Sequence, residues 1–370
     1  MSKTPDNTNT ATGNANEAAK AVAEYIRRSE AEKLPQHWHL NGTGPVRELE
    51  EKLETYWGFD HALCVSSATM GIRAVFQALG LSEETFITTP YAWGGTIAGP
   101  LDLGARPIFA DICPDTLGID PQAVRRQVEE HPNSEAILAV DAFGIPSDSK
   151  NLRRVADEKG LIYIGDAAQS FGARRNGAPA STHADACVTS FTAEKALFAG
   201  EGGAVLTSNR ELYERLIWQC QHPRRQKREL GLALTNELAL NARINPVAAI
   251  WANEQFCSSL EDVGSRRRVA SDLISGLSGA AGLVQAPNFA SREIEPSYFR
   301  IPLRPTPSVD MTTLQDVLHE QGFTEATLHE GPGLLFDRFP EIAKQGSPGA
   351  KCSEATVQAL NRICVSGFMQ

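Results

Sequence analysis

No two cysteines in this chain stand in a C-x-x-C spacing, and the seven present (64, 113, 187, 220, 257, 352 and 364) make an odd number. Most sit in apolar stretches such as ALCV and DACV, the setting of a reduced, buried thiol rather than of a disulfide frame or a metal knuckle. No apolar run is long enough to span a bilayer, so no membrane helix is expected. An excess of positive charge is also missing. With 35 Lys+Arg against 45 Asp+Glu the formal net charge is −10, which argues against a general nucleic-acid or anionic-membrane binder. A local basic pocket for a small anion stays open. The chain lacks a G-x-G-x-x-G after a strand: the GTG at 42–44 precedes a helix but follows no strand. A nucleotide-binding oxidoreductase therefore has only an α/β pattern in its favour. The start, MSKTPDNTNTATGNANEAAK, has no basic-then-apolar secretory pattern, and the default expectation is a cytoplasmic protein. His37 and His39 in H-W-H have no carboxylate or cysteine nearby, so they read as packing or surface, and no metal is expected.

What is there is ordinary for a soluble globular enzyme: 42% hydrophobic and 22% charged residues over 370 positions, enough for two lobes. Residues 1–16 are rich in Thr, Asn, Ser and Gly and are expected to be a disordered tail. Helical spacing runs over 17–33 and again through VRELEEKLETYWG, closed by Gly58. The texture then changes. HALCVSS, TFITTP, ARPIFADI, EAILAVDAFG, LIYIGDAA, ACVTSFT and GGAVLTS are short apolar runs, with helix-like segments such as PQAVRRQVEE and SKNLRRVADEKG between them. This alternation predicts a mainly parallel sheet covered by helices on both faces. Beyond 210 come a helix, a basic loop-like stretch HPRRQKRELG and a long helix over about 246–276. A smaller α+β part follows, with YFRIPLR as a strand and LQDVLHEQG as a helix.

Four features on the α/β part carry chemistry. In VSSATMGIRAV a strand ends at Ser66–Ser67 and a helix opens at Ala68–Thr69; its free amides and the hydroxyls of Ser67 and Thr69 suit a phosphate, with plain N-capping as the alternative. Trp93 in PYAWGGT follows a strand at the same edge and could stack on a planar ring, unless it is a core residue. Asp166 ends the apolar strand of LIYIGDAAQS, a costly place for a carboxylate without a cationic partner such as a pyridinium nitrogen. Gln169, three residues on, could reach a phenolic oxygen of the same ring, and a helix N-cap is the alternative for Asp166. In SFTAEKALFAGEGGAVLTS, Lys195 lies between two apolar strands, with Ser190 before it and Gly200, Gly202 and Gly203 after it. A lysine in a dry setting has a lowered pKa and condenses with an aldehyde as a Schiff base, whereas a surface-loop lysine does not. Ser190 offers another hydroxyl to a phosphate.

At these residues the chain resembles the DegT/DnrJ/StrS sugar aminotransferases, a branch of the fold-type I pyridoxal-phosphate enzymes. VSSATMGI is similar to the family's V-N-S-G-T-A-A-L phosphate loop, and PYAWGGT to its P-Y-T-F-x-A-T, which puts Trp93 at the ring-stacking position. GDAAQSFGA resembles E-D-A-A-Q-A-x-G-A and carries over Asp166 and Gln169. SFTAEKALFAGEGGAV resembles S-F-x-x-x-K-N-L-x-x-G-E-G-G-A-V and carries over Ser190 and Lys195. LNARINPVAAI is similar to Y-N-Y-R-M-x-x-x-Q-A-A-I, whose Asn reaches the cofactor phosphate of the neighbouring subunit; the resemblance thus implies that role for Asn241 and a homodimer with shared active sites. From the residues alone, Asn241 reads as a helix cap. The departures are Ala68 for Gly, Ala196 for Asn after the lysine, Glu194 before it, and an end at SGFMQ where the family has a leucine- and proline-rich strand and a further helix.

The resemblance implies a seven-stranded, mainly parallel sheet in a large pyridoxal 5′-phosphate-binding domain over 17–240 and a small α+β domain over 241–370. It also implies transfer of an amino group from glutamate or glutamine to a keto sugar, a nucleotide-linked keto sugar or a keto cyclitol. Arg224, Arg225, Lys227 and Arg228 could meet a diphosphate or form a solvated loop, and Arg243 is a further anion candidate. Two alternatives on the same fold are a dehydratase, lyase or cyclase and a non-catalytic regulator that binds the cofactor. Some relatives that dehydrate sugars carry histidine in place of the lysine, so Lys195 argues against that subset but not against others.

Overall fold

Strands that are apolar on both faces must be covered on both, and the chain supplies a helix between most pairs of them. The computed structural model describes residues 8–31, 38–279, 282–285, 289, 293–306, 309–324, 326–330, 334–339 and 363–366. Its main sheet contains β1 (His61–Val65), β2 (Thr85–Thr88), β3 (Arg106–Phe109), β4 (Ser134–Val140), β5 (Ile162–Asp166), β6 (Ala186–Ser190) and β7 (Gly203–Thr207). The order across the sheet is β1-β7-β6-β5-β4-β2-β3. Pairings among β2 to β6 are parallel, and β7 alone runs against its neighbours β1 and β6. The helices are α1 (Thr8–Ala31), α2 (Pro45–Trp57), α3 (Ala68–Ala78), α4 (Gly94–Asp102), α5 (Pro121–Glu130), α6 (Ser149–Lys159), α7 (Arg210–Cys220), α8 (Pro223–Leu230), α9 (Pro246–Ser278), α10 (Met311–Glu320) and, among the described residues, the short α11 (Leu335–Arg338).

The period of two along a strand decides which layer each residue joins. In β1, Leu63 and Val65 pack with Ile72 and Val75 of α3 and with Leu212 of α7. Ala62 and Cys64, between them, pack on the other face with Leu49 and Leu53 of α2 and Phe256 of α9. Farther across the sheet, Ile87, Ile137 and Tyr163 meet Val124 of α5 and Leu152 of α6. Local signals set the helix ends: α2 starts on Pro45 and closes on Gly58 at φ 77°, while Ser67, Asp148 and Asn245 cap α3, α6 and α9.

Helix α9 belongs to two cores. Ala249, Ala252 and Phe256 join the cluster of α2, whereas Ala270, Leu273 and Leu277 join Ile301, Leu303, Leu314 and Val365 in the second lobe. The passage between cores falls inside α9, between Leu260 and Val269, rather than at the expected boundary of 240/241. The second lobe has an antiparallel sheet in the order Val284–Gln285, Ile301–Pro305, Ile363–Ser366, Thr327–Glu330. Residues 8–16, expected in a disordered tail, lie in α1; residues 1–7, His37 and Cys352 lie outside the described residues. Cys64, Cys187 and Cys220 are free and buried, Cys113 is partly covered and Cys257 is exposed. Among the described residues no helix is long and apolar enough to cross a membrane.

The basic stretch at 222–231 corrects two expectations. It is a helix rather than a loop, and Arg225 is neither solvated nor free to meet a diphosphate, with 0% of its surface exposed. Its two terminal nitrogens donate to Glu50 Oε1 and Oε2 at 3.0 and 2.9 Å, and its Nε donates to Glu229 Oε1 at 2.9 Å. Glu50 also accepts the Cys64 amide at 2.9 Å, so this buried pair fastens α8 and α2 to the edge strand β1. Arg228 donates to the carbonyl of Asn41 at 2.8 Å, which anchors the turn leading into α2. Arg224 and Lys227 are exposed. Removing one partner of a buried pair strands the other charge, so Arg225→Met should cost about 3–5 kcal/mol in denaturant unfolding. The double change Glu50→Leu with Arg225→Met should recover much of that loss. Equal losses in single and double variants would show that the pair is not the source.

Candidate active site

The parallel strands deliver their last residues to one edge of the sheet, the usual place for a ligand in such folds. Val140 pairs with Asp166, Asp166 with Val188, and Ser190 with Gly203. Val65 also pairs with Gly203, and Ser67 bridges to Gly202. The ends of β1, β5 and β6 and the start of β7 therefore lie side by side. Ser67 is extended and caps α3, its Oγ accepting the Met70 amide at 3.2 Å. A Cβ on Gly203 would sit 2.6 Å from the Thr189 carbonyl oxygen and 2.8 Å from the Ala68 amide nitrogen, so only glycine lets β7 pass so close to the start of α3. Gly202, at φ 135°, makes the turn into that passage. Buried Ser190 has its Oγ 3.1 Å from Thr192 Oγ1. Thr69 closes the group: a Cβ on Gly95 would be 2.9 Å from its hydroxyl and 3.1 Å from the Trp93 ring. Ser67, Ala68, Thr69 and Ser190 are thus brought to one end of the edge, beside the amino end of an eleven-residue helix.

Asp166 is 5% exposed and both its oxygens are engaged. Thr96, in the first turn of α4, donates its hydroxyl to Oδ2 at 2.7 Å, and the Ala168 amide donates to Oδ1 at 3.0 Å. No helix follows it, so the N-cap alternative falls away. Burial pushes its carboxyl pKa up, and the Thr96 and Ala168 hydrogen bonds and the charge of Lys195 pull it back. Among the described residues no cation lies within ion-pair distance of this carboxylate. A protonated ring nitrogen fits what is missing there.

Gln169 has its orientation set by the backbone. Its Oε1 accepts the Phe143 amide at 2.7 Å, which leaves its NH2 group as the donor on the cavity wall. Phe143 itself is left-handed, at φ 58° and ψ 13°, a conformation that costs about 1–3 kcal/mol in a non-glycine residue. It is held from both sides, because its carbonyl accepts the Phe299 amide at 2.9 Å. The Ser297 amide likewise donates to the Gly144 carbonyl at 2.9 Å and its hydroxyl to the Gln169 carbonyl at 3.0 Å. These bonds tie residues 297–299 to the sheet edge.

Lys195 lies in the loop between β6 and β7 and lines a cavity of about 470 Å³, within the usual range for a small-molecule site. Its Nζ is 4.1 Å from the centroid of the Phe299 ring. Burial pushes its pKa below the ordinary 10.5; Asp166 and Glu194 oppose the drop and Arg300 adds to it. In the cofactor-free protein, a lysine-directed acylating reagent should therefore modify Lys195 with a pH midpoint below 10.5, measured by mass spectrometry of its peptide. A midpoint equal to that of exposed lysines would contradict this.

Trp93 stands on the cavity rim, 69% exposed, and is not a core residue. Asn241 is exposed and does not line the cavity of its own chain. Its neighbours do reach the end of β1 beside Ser67, since the Ala242 carbonyl accepts the Ser66 amide at 3.0 Å and Arg243 bridges to Val65. Thr96, Thr192, Phe299, Arg300 and Arg338 were not anticipated. Only the aromatic–basic triplet YFR hinted at two of them. The residues present fit a phosphorylated, cationic, planar aldehyde: hydroxyls and helix amides at one end, an unpaired carboxylate, an indole face and a desolvated amine.

A family model described as the DegT/DnrJ/EryC1/StrS aminotransferase family matches residues 21–363. The chain is 30% identical over 289 residues to the putative L-glutamine:3-amino-2,3-dideoxy-scyllo-inosose aminotransferase of Streptomyces kanamyceticus, a match covering 78% of this chain and 67% of that one. It is 30% identical over 238 residues to the dTDP-3-amino-3,4,6-trideoxy-alpha-D-glucose transaminase of Micromonospora megalomicea subsp. nigra, covering 63% of this chain and 61% of that one. The match therefore spans about two thirds of the first relative's length and less than two thirds of the second's. Among solved structures, an aminotransferase of the same family from Brucella abortus aligns with a TM-score of 0.80 at 20% identity, covering 99% of this chain and 93% of that one.

Proposed function

The chain belongs to the DegT/DnrJ/EryC1/StrS aminotransferase family, and from that premise we propose that it moves an amino group from glutamine or glutamate to the keto group of a sugar, a nucleotide-linked sugar or a cyclitol. It is a pyridoxal-phosphate-dependent aminotransferase with the α/β fold of fold type I. The names of its relatives support a glutamine donor and sugar-like acceptors in biosynthesis. When bound, pyridoxal 5′-phosphate supplies the electron-accepting ring on which the amino group is carried between two substrates.

The residues divide the remaining work. Ser67, the Ala68 amide, Thr69 and Ser190 hold the phosphate, and Asn241 of the partner subunit reaches it in a homodimer with shared sites. The Trp93 indole covers one face of the ring. Asp166 supplies the anion that keeps a proton on the ring nitrogen, and the Gln169 NH2 donates to the phenolic oxygen. Lys195, whose amine pKa burial lowers, would hold the aldehyde carbon and would serve as the group that moves a proton at the donor's Cα.

The observation that carries this reading is a buried Asp166 with no cation in ion-pair distance among the described residues, at the same sheet edge as a cavity lined by Lys195. The test is a half-reaction. The cofactor-loaded protein is mixed with L-glutamine or L-glutamate, and release of about one equivalent of 2-oxo acid per site is expected. The product is then offered keto sugars and keto cyclitols. If no amino donor yields 2-oxo acid, a lyase, a dehydratase or a cofactor-binding regulator takes the place of an aminotransferase.

A further inference from the structure

Two guanidinium groups face the cavity without adequate anionic partners. Arg338 donates to the Ala92 carbonyl through a terminal nitrogen, while its Nε is buried and has no hydrogen-bond partner. No carboxylate among the described residues lies within ion-pair distance of it. Arg300 sits with its Cζ 5.4 Å from the Phe299 ring centroid, and its Nε is likewise buried and unpartnered. Among the described residues its one anionic neighbour is Glu194, at 3.6 Å, beyond hydrogen-bond distance, and the Glu194 side chain is 70% exposed. With Lys195 the cavity wall carries three cationic side chains against Glu194, since Asp166 is committed beneath. Partly desolvating three cations is costly unless an anion joins them.

We propose that Arg338 and Arg300 form the subsite for the carboxylate of the amino donor, and that Glu194 is the resident counter-ion which that carboxylate displaces. This rests on the aminotransfer reading above. A planar guanidinium fork matches a carboxylate with two parallel hydrogen bonds. The spacing selects the donor over the acceptor. The Lys195 amine and the Arg300 guanidinium both lie against the Phe299 ring, 4.1 and 5.4 Å from its centroid. In an α-amino acid the carboxylate is bonded to the reacting carbon and its partner must stand near the reacting amine; in a nucleotide-linked sugar the ring stands between the reacting carbon and the phosphates. Glu194 is placed for exchange, because it adjoins Lys195 in a left-handed turn at φ 69° and its side chain opens to solvent.

The test titrates the cofactor-loaded protein calorimetrically with glutarate, a carboxylate probe that has no amine and cannot turn over. Wild-type binding should weaken tenfold or more in Arg338→Met and in Arg300→Met, and tighten a few-fold in Glu194→Gln. Arg338→Lys keeps the charge but not the fork and should fall between wild type and Arg338→Met. It also serves if the methionine variant does not fold, as judged by thermal unfolding and the cofactor's absorbance. Unchanged glutarate affinity in the arginine variants overturns the assignment. So does a wild type that ignores glutarate but binds inorganic pyrophosphate through Arg338, which would give the pair to the acceptor's phosphates. Arginine-dependent glutarate binding with no 2-oxo acid from any donor would leave the carboxylate subsite standing and remove the aminotransfer reading instead.

Discussion

Replacing Lys195 by alanine is expected to lower turnover by on the order of 10⁴-fold or more while leaving the fold intact. A well-placed general acid–base group alone contributes about 10²–10⁴-fold, and here the same nitrogen also holds the cofactor. The fold should tolerate the loss. Among the described residues, Lys195 Nζ makes no ion pair or hydrogen bond, and its contact with the Phe299 ring is of a kind worth about 0.5–1 kcal/mol when exposed. Steady-state rates and thermal unfolding of the purified variant check both halves. A small primary amine such as ethylamine should restore part of the rate, because it can carry the proton that Lys195 no longer moves. A purely structural lysine would show no such rescue, and activity within tenfold of wild type would remove Lys195 from the mechanism.

Asp166→Asn should pull function and stability in opposite directions. Losing one positioned electrostatic contact typically costs about 3 kcal/mol of barrier, so turnover should fall by about 10²–10³-fold. The cofactor-free protein should respond otherwise. Burial raises the folded-state carboxyl pKa above its ordinary 3.8, so the folded chain holds a proton that the unfolded chain has released. Stability therefore falls as pH rises from about 3.8 through the raised value, and the penalty is fully present above it. Asparagine carries no such penalty. The cofactor-free variant should be as stable as wild type or more so at neutral pH, by denaturant unfolding at several pH values, and should gain less on adding cofactor. A variant less stable without cofactor and unchanged in turnover would mark Asp166 as structural.

The sheet was legible because its strands are short apolar runs closed by Ser, Thr or Asp, each repeating the same local signal. Asp166, Gln169 and Lys195 were legible for the opposite reason, as polar groups where apolar strands end. What could not be read depended on distant partners. Arg225 lies in a sequence as basic as any solvated loop, and its burial follows from Glu50, 175 positions away, which no local pattern reveals. Helix α4 escaped notice because its nine residues include three glycines and a proline, yet it presents Thr96 to Asp166. Arg300 reaches the cavity beside the bonds joining residues 297–299 to 143–144 and 169, and Arg338 reaches it through Leu335, which packs in the main-sheet core and bonds to Pro90. The double role of α9 was hidden likewise, since one continuous helix gives no sign of where its apolar face changes partner.

The attachment of the cofactor to one lysine is open to direct chemical trapping. The cofactor-loaded protein is reduced with borohydride, digested, and its peptides weighed and fragmented. The account predicts the added mass of the reduced cofactor on Lys195 and on no other lysine. Modification at another lysine, or a cofactor that washes away after reduction, would contradict it.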